Sequence, residues 1–341
     1  MNSKNNLFIT SNDFSSFSNL VYSDRVDKNN FDLNNVEIIE EFNDPLFNCV
    51  VFKKIKFKLA ENQTIFCNTG QLDNLFYHLK KSKFKNLNLI THQTDLLITK
   101  KIFNKKPKCI KNWYTVNAGF THDNLKPIPI GIASSFSKKN LNSSDFKLFD
   151  KNNFLNYEVS LYINFQQNTN FKERRNIVKH FQNEEWVTID EPNLDKENYM
   201  KSLRENSFIL CPWGNGIDTH RLWEVLYSGS IPITKKHPTY NYEHKLPILF
   251  VNNFEEVTYD TLKKFLDDFD IRNYDFSVLS IDFWERKINV NQDLETNYEY
   301  FNETLIVRKY YQTKRYIKKV INSKIKKLVT FKNRILLKLR F

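Results

Sequence analysis

Apolar residues fall into short runs separated by polar stretches, and the clearest succession lies in residues 207–233. Phe208-Ile209-Leu210-Cys211 has the length and composition of a buried strand, and Pro212 stops it. Gly214-Asn215-Gly216 follows, a loop able to take the positive φ values that other residues resist. Asp218 or Thr219 is placed to cap a helix whose apolar stripe is Leu222, Val225 and Leu226. Gly229 ends that helix and Ile231-Pro232-Ile233 begins a new extended run.

The same alternation recurs on both sides. Upstream, Val36-Glu37-Ile38-Ile39, residues 48–52, residues 64–67, residues 88–92, residues 113–116 and residues 127–132 read as strands, and Leu72, Leu75, Phe76 and Leu79 mark a helical face. Downstream, residues 160–165, 186–189 and 249–251 read as strands, with helices over 172–181, 194–204 and 262–266. Strands alternating with helices predict an α/β fold with largely parallel sheets, whose ligands gather at the strand C-termini. The polar stretch around 136–157 predicts a linker, giving an N-terminal domain over 1–135 and a second over 158–290. Residues 291–341 form a helical tail.

The glycine loop carries the candidate chemistry. A strand–loop–helix junction brings unpaired backbone N–H groups and the positive end of a helix dipole to one spot, which favours phosphate. Arg221, in the first turn, adds a two-pronged contact to phosphate oxygens. Glu224, one turn on, projects from nearly the same face and suits the two hydroxyls of a ribose. The pair also fits a plain surface ion pair on an ordinary αβ unit. Glycine usage weighs on the choice: the chain has six glycines, and Gly214, Gly216 and Gly229 are half of them.

The motif G-N-G-I-D-T-H-R-x-W-E, followed by a small residue, Gly229 and Ile231-Pro232-Ile233, resembles the donor-site segment of exostosin-like glycosyltransferases and their microbial relatives. That resemblance implies the GT-B architecture, two Rossmann-like domains facing a cleft. It implies a nucleotide-diphosphate sugar held by Gly214, Asn215, Gly216, Asp218, Thr219, His220, Arg221 and Glu224, with Glu224 on the ribose and Arg221 on the diphosphate. Arg174, opening a helix after the first strand of the second domain, matches the group's usual arginine; a solvated basic face is the other reading. A weaker resemblance covers His92, Asp95, Trp113-Tyr114 and Ile128-Pro129-Ile130-Gly131. There an inverting enzyme needs a base for the acceptor hydroxyl. Asp95 is the first choice and His92 the second, although both also fit a helix cap.

Composition sharpens this picture in three places. The net charge of +12 is local: 13 Lys and Arg and no acidic residue lie from Arg308 onward, leaving 38 basic against 39 acidic residues before it. In that tail Ile317, Ile321, Ile325, Leu328, Phe331, Ile335 and Leu339 recur every three or four positions, with Lys318, Lys319, Lys326, Lys327, Arg334 and Lys338 between them. A basic amphipathic helix suits an anionic membrane surface; packing on the body and nucleic-acid binding are the alternatives, and the near-neutral body argues against nucleic acid. The four cysteines have no C-x-x-C spacing and read as reduced structural thiols. No metal-ligand motif stands out, and Asp268-Phe269-Asp270 sits in an acidic helical run rather than after a strand. With no signal peptide or apolar 20-residue run, the expectation is a cytoplasmic protein, peripheral on the cytosolic membrane face, acting on a glycan or lipid-linked glycan without a cofactor.

Overall fold

The computed structural model describes residues 8–30, 34–146, 149–154, 158–289 and 297–338. The strands that build its first half are β1 (Leu20–Asp27), β2 (Val36–Asp44), β3 (Phe47–Lys54), β4 (Lys56–Leu59), β5 (Thr64–Asn68), β6 (Leu87–His92), β7 (Ile110–Thr115) and β8 (Leu125–Pro127). All but β4 join one sheet in the order β2-β3-β1-β5-β6-β7-β8. From β1 to β8 neighbouring strands run parallel, while β3 is antiparallel to both β1 and β2. The parallel strands β5 and β6 are buried on both faces, because helix Leu72–Leu79 covers one side and helices Ser11–Ser16 and Ile281–Asn289 the other.

The second half holds β9 (Leu161–Ile163), β10 (Val187–Ile189), β11 (Phe208–Leu210), β12 (Ile231–Lys235) and β13 (Leu249–Val251). They form an all-parallel sheet in the order β10-β9-β11-β12-β13. Counted from β9 this is 2-1-3-4-5, a doubly wound order that reverses between β9 and β11. Chain leaving β9 and chain leaving β11 turn to opposite faces, so a crevice opens at their C-terminal ends. The helix His220–Ser228 follows β11 and buries Leu222, Val225 and Leu226, and Gly229 at φ 88° closes it. One continuous apolar core joins the halves, running from Phe66, Ile90 and Ile130 to Ile209, Leu222 and Trp223.

Several boundaries differ from the sequence reading. Within the stretch read as a linker, Phe136, Leu141, Phe146 and Phe154 are buried among the described residues. The chain after 280 returns to the first half. Helix Ile281–Asn289 packs Trp284 on Phe14, and the Asn88 side chain donates to the Ile288 carbonyl at 3.0 Å. A further strand follows, β14 (Glu299–Asn302), antiparallel to β4. Glu303 then pairs with the buried Lys53 and accepts from Asn74 at 2.8 Å. Only after this anchor does the helix Leu305–Lys338 begin, tied by Lys314–Asp73 at 2.6 Å and by Arg315–Glu37. Among the described residues no helix is long and apolar enough to cross a membrane.

Candidate functional site

A cleft of about 570 Å³ opens at the β9/β11 crevice. Its second-half wall carries Arg174, Gly214, Asn215, Gly216, Asp218, Thr219, His220, Arg221 and Glu224, and its first-half wall includes Asp95 and Ile130. The donor-site residues named from sequence therefore converge, together with the preferred base.

Their roles divide on inspection. Arg174 is buried, and its guanidinium donates to the carbonyls of Trp213 (2.9 Å), Gln166 (2.9 Å) and Pro212 (3.0 Å). Its face also lies 5.3 Å from the centroid of Phe165. Burial, and after it the charge of Arg221, push Arg174 down to about 10, still fully protonated at neutral pH. With Asn170, which donates to the Gly214 carbonyl at 3.0 Å, Arg174 moulds the glycine loop. Its burial removes the reading of Arg174 as a solvated basic face, while its guanidinium still lines the cleft.

The glycines also act differently from the expectation. Neither Gly214 nor Gly216 has positive φ; among glycines only Gly131 and Gly229 do in the described residues. Gly216 is needed for close approach: a Cβ there would sit 3.0 Å from Asn117 Nδ2 and 3.2 Å from Asp95 Oδ1. The loop amides are also partly used within the protein. Gly214 N–H donates to the Gly216 carbonyl at 3.0 Å, and Asn117 Oδ1 accepts from Ile217 N–H at 2.9 Å and Asp218 N–H at 2.8 Å. What remains for an anion is the start of the helix itself. Thr219 stands at its N-cap without a side-chain capping bond, so the first-turn N–H groups keep their pull on negative charge.

Arg221 and Glu224 stand one turn apart on that helix. Arg221 stacks 5.8 Å from the Tyr199 centroid, and its Nη1 is buried without a hydrogen-bond partner. Glu224 is buried and accepts from Tyr199 Oη at 3.0 Å. Burial raises the Glu224 carboxyl above its usual range, against the pull of His220 and Arg221. A half-buried cationic fork with a buried donor to spare and an adjacent carboxyl form a site for a ligand with an anion and vicinal hydroxyls.

Asp218 is withdrawn from ligand binding. Its carboxylate accepts from Ile130 N–H of the first half at 2.8 Å and from the Trp223 indole at 2.9 Å. Burial pushes it up to about 7. His220 makes a second bridge, donating through Nδ1 to the Gly131 carbonyl at 2.7 Å, which leaves Nε2 as the ring's remaining nitrogen. Asn215 is exposed at the loop tip.

On the first-half wall, Asp95 is exposed and its carboxylate reaches the glycine loop, as the Gly216 geometry shows. His92 is corrected as a base. It is 1% exposed, its Nδ1 accepts from Gln93 N–H at 2.8 Å and its Nε2 lies 3.2 Å from the Pro129 carbonyl. Burial drops it to about 3, so the ring is neutral and both nitrogens are held by backbone.

Sequence reasoning passed over Asn117, Gln93 and Tyr199. Gln93 (φ 72°) and Asn117 (φ 54°) follow β6 and β7 in left-handed backbone, a conformation that non-glycine residues keep only when surroundings enforce it. No hydropathy signal marks either. In the tail, Lys318 and Lys319 are exposed, as are Ile317, Ile321, Ile325 and Leu328. The side chains of Lys326, Lys327, Arg334 and Lys338 lie outside the described residues. The four cysteines are buried free thiols.

No family model matches this chain, and no curated protein does. Among solved structures it is similar to AviGT4, a glycosyltransferase involved in avilamycin A biosynthesis, at 10% identity over 64% of this chain and 78% of that one, with a TM-score of 0.29. A likeness of that size carries no weight for function, which rests on the geometry above.

Proposed function

We propose that the chain is a glycosyltransferase of GT-B architecture that moves a sugar from a nucleotide-diphosphate donor to a glycan or lipid-linked glycan in surface polysaccharide or glycoconjugate synthesis. The observation that carries this reading is the juxtaposition of Arg221, Glu224 and the uncapped helix start in a cleft at the β9/β11 switch point, with Asp95 on the facing wall. Glu224 takes the ribose hydroxyls. Arg221 and the helix start take the diphosphate and stabilise it as the leaving group, a role that then needs no metal. Asp95 accepts the proton of the acceptor hydroxyl as its oxygen bonds to the anomeric carbon, and the bond to the diphosphate breaks with inversion.

The test is a thermal-shift panel of UDP, GDP, CMP and their sugars. One base should raise the unfolding temperature, since a ligand at a hundred times its Kd adds about 2.7 kcal/mol. If no nucleotide shifts the protein, the reading fails. Binding without sugar transfer or donor hydrolysis would instead describe a non-catalytic nucleotide-binding protein of the same fold.

The tail adds a location to this reading. Ile317, Ile321, Ile325 and Leu328 are exposed on a helix that carries no acidic residue of its own, although Lys314, Arg315 and Lys319 pair with Asp73, Glu37 and Glu40 of the body. Such a face suits an anionic membrane surface and would hold the enzyme on the cytosolic side. Flotation with phosphatidylglycerol vesicles should be lost in the double substitution Ile321→Asp, Ile325→Asp, and unchanged flotation would remove the tail from this role.

A further inference from the structure

A second cavity of about 380 Å³ adjoins the cleft and shares Asp95, Ile130, Asn140 and His220 with it. It lies on the first-half side, floored by Arg25 and Phe47 and edged by Ser11, Gln93 and Ser134. Its size is that of a small-ligand site.

Arg25 is the unusual group there. It lies on β1, and its guanidinium rests against a pair of touching rings, 5.6 Å from the Phe42 centroid and 5.8 Å from that of Phe47. Cation–π attraction to both rings favours this placement of the fork before any ligand arrives. Its Nε is buried with no hydrogen-bond partner, and among the described residues no carboxylate forms an ion pair with it. Asp24, the preceding residue, forms no ion pair with it. That carboxyl is 2% exposed and engaged by the Gln93 amide, by Asn12 at 3.5 Å and by the Arg25 backbone N–H at 2.7 Å. A buried N–H of a cation without an acceptor costs free energy that an incoming anion recovers.

The rest of the cavity offers neutral donors and acceptors. Ser11 Oγ and Ser134 Oγ lie 3.2 Å apart, and the Gln93 amide reaches Ser11 Oγ at 3.3 Å. Hydroxyls and amides of this kind match sugar hydroxyls. Asp95 also lines it, beside the glycine loop.

We propose that this cavity is the acceptor subsite of the glycosyltransferase reading, on which it rests, and that it selects an acceptor carrying a negative charge, which Arg25 binds. The reacting hydroxyl faces Asp95 and the anion lies against Arg25. Two sources supply that charge: a carboxylate on an acidic sugar, or the phosphate that links a glycan to its lipid carrier.

Calorimetric titration of the full chain with three probes separates them: methyl β-D-glucuronide, farnesyl diphosphate and, as the neutral control, methyl β-D-glucoside. One anionic probe should bind at least about tenfold more tightly than the glucoside, the scale of one charge-assisted hydrogen bond. Preference for the glucuronide identifies an acidic sugar, and preference for the diphosphate identifies the lipid linkage. The preference should vanish in Arg25→Gln and largely survive in Arg25→Lys, while the nucleotide thermal shift of both variants stays at the wild-type value. Equal binding of all three probes, binding of none, or an anion preference that persists in Arg25→Gln overturns the proposal. Absence of any nucleotide shift in the wild type overturns the donor reading instead, and is scored separately from the Arg25 result.

Discussion

Two arginines meet at the β9/β11 crevice, one from the chain after each strand, and they are used in opposite ways. Arg174 spends its fork on three carbonyls of the surrounding loops, and its charge is dissipated in the fold. Arg221 keeps a buried nitrogen unpaired and leans on a tyrosine ring. The two repel, and the repulsion is part of what lowers Arg174. A cation with each of its three nitrogens bonded to a carbonyl shapes a site; one with a buried nitrogen left unpaired is open to a ligand. Sequence position alone distinguishes neither, since both sit near a helix start.

Substitutions should separate shaping, binding and chemistry. The largest expected effect is on chemistry. Asp95→Asn should lower kcat by about 10²–10⁴-fold, the usual worth of a positioned base, while nucleotide affinity is unchanged. A loss of only a few-fold would return Asp95 to the role of a polar rim residue. Next, Arg174→Ala should lower stability by about 3 kcal/mol, because one buried and two part-buried carbonyls lose a charged donor at once. Arg174→Lys should recover little, since one ammonium cannot span the three positions. Chemical unfolding without ligand reads both variants.

Arg221→Ala should show the reverse signature. Nucleotide affinity should fall by about 10–100-fold, the loss of a charged hydrogen-bonding pair, while unfolding of the empty protein moves by less than about 1 kcal/mol. If the empty protein is as damaged as with Arg174→Ala, the contrast between the two arginines dissolves and Arg221 is a second scaffold residue.

How far this could be read from sequence follows the same division between local and assembled features. The helix after β11 was legible because Leu222, Val225, Leu226 and Gly229 encode it within ten positions. Arg221 and Glu224 were legible for the same reason: their spacing fixes their common face. The purpose of Gly216 was not legible, because the groups that crowd it, Asn117 and Asp95, lie about a hundred residues earlier. β1 was missed because it buries Ser23 and Asp24, which break the apolar run that marks a strand. Arg25 was lost with it. His92 sat on the correct strand end, but only tertiary packing shows that its ring nitrogens are already satisfied. The buried pair Lys53–Glu303 joins positions 250 apart and leaves no local trace.

The last expected effect concerns the contact that holds the two walls of the cleft in register. Asp218 accepts from Ile130 N–H across the halves and is pushed by burial from about 3.8 up to about 7. The folded state thus keeps a proton that the unfolded chain has released between those values. By linkage, the stabilising contribution is complete below about pH 4 and is lost as pH rises through 7. The nearby Tyr240 and Tyr242 hydroxyls are driven well above their ordinary range and stay neutral throughout, so they do not blur the window. Asp218→Asn removes this titration, and subtracting the variant cancels every other group. The wild-type minus variant stability should decline by a few kcal/mol between pH 4 and 7 and level off above about pH 8, the two bonds that favour the charged form being already part of the net upward shift. A flat difference across that range would mean that the carboxylate is ionised throughout, and that the walls are joined by a charged acceptor in the way Arg174 joins the loops.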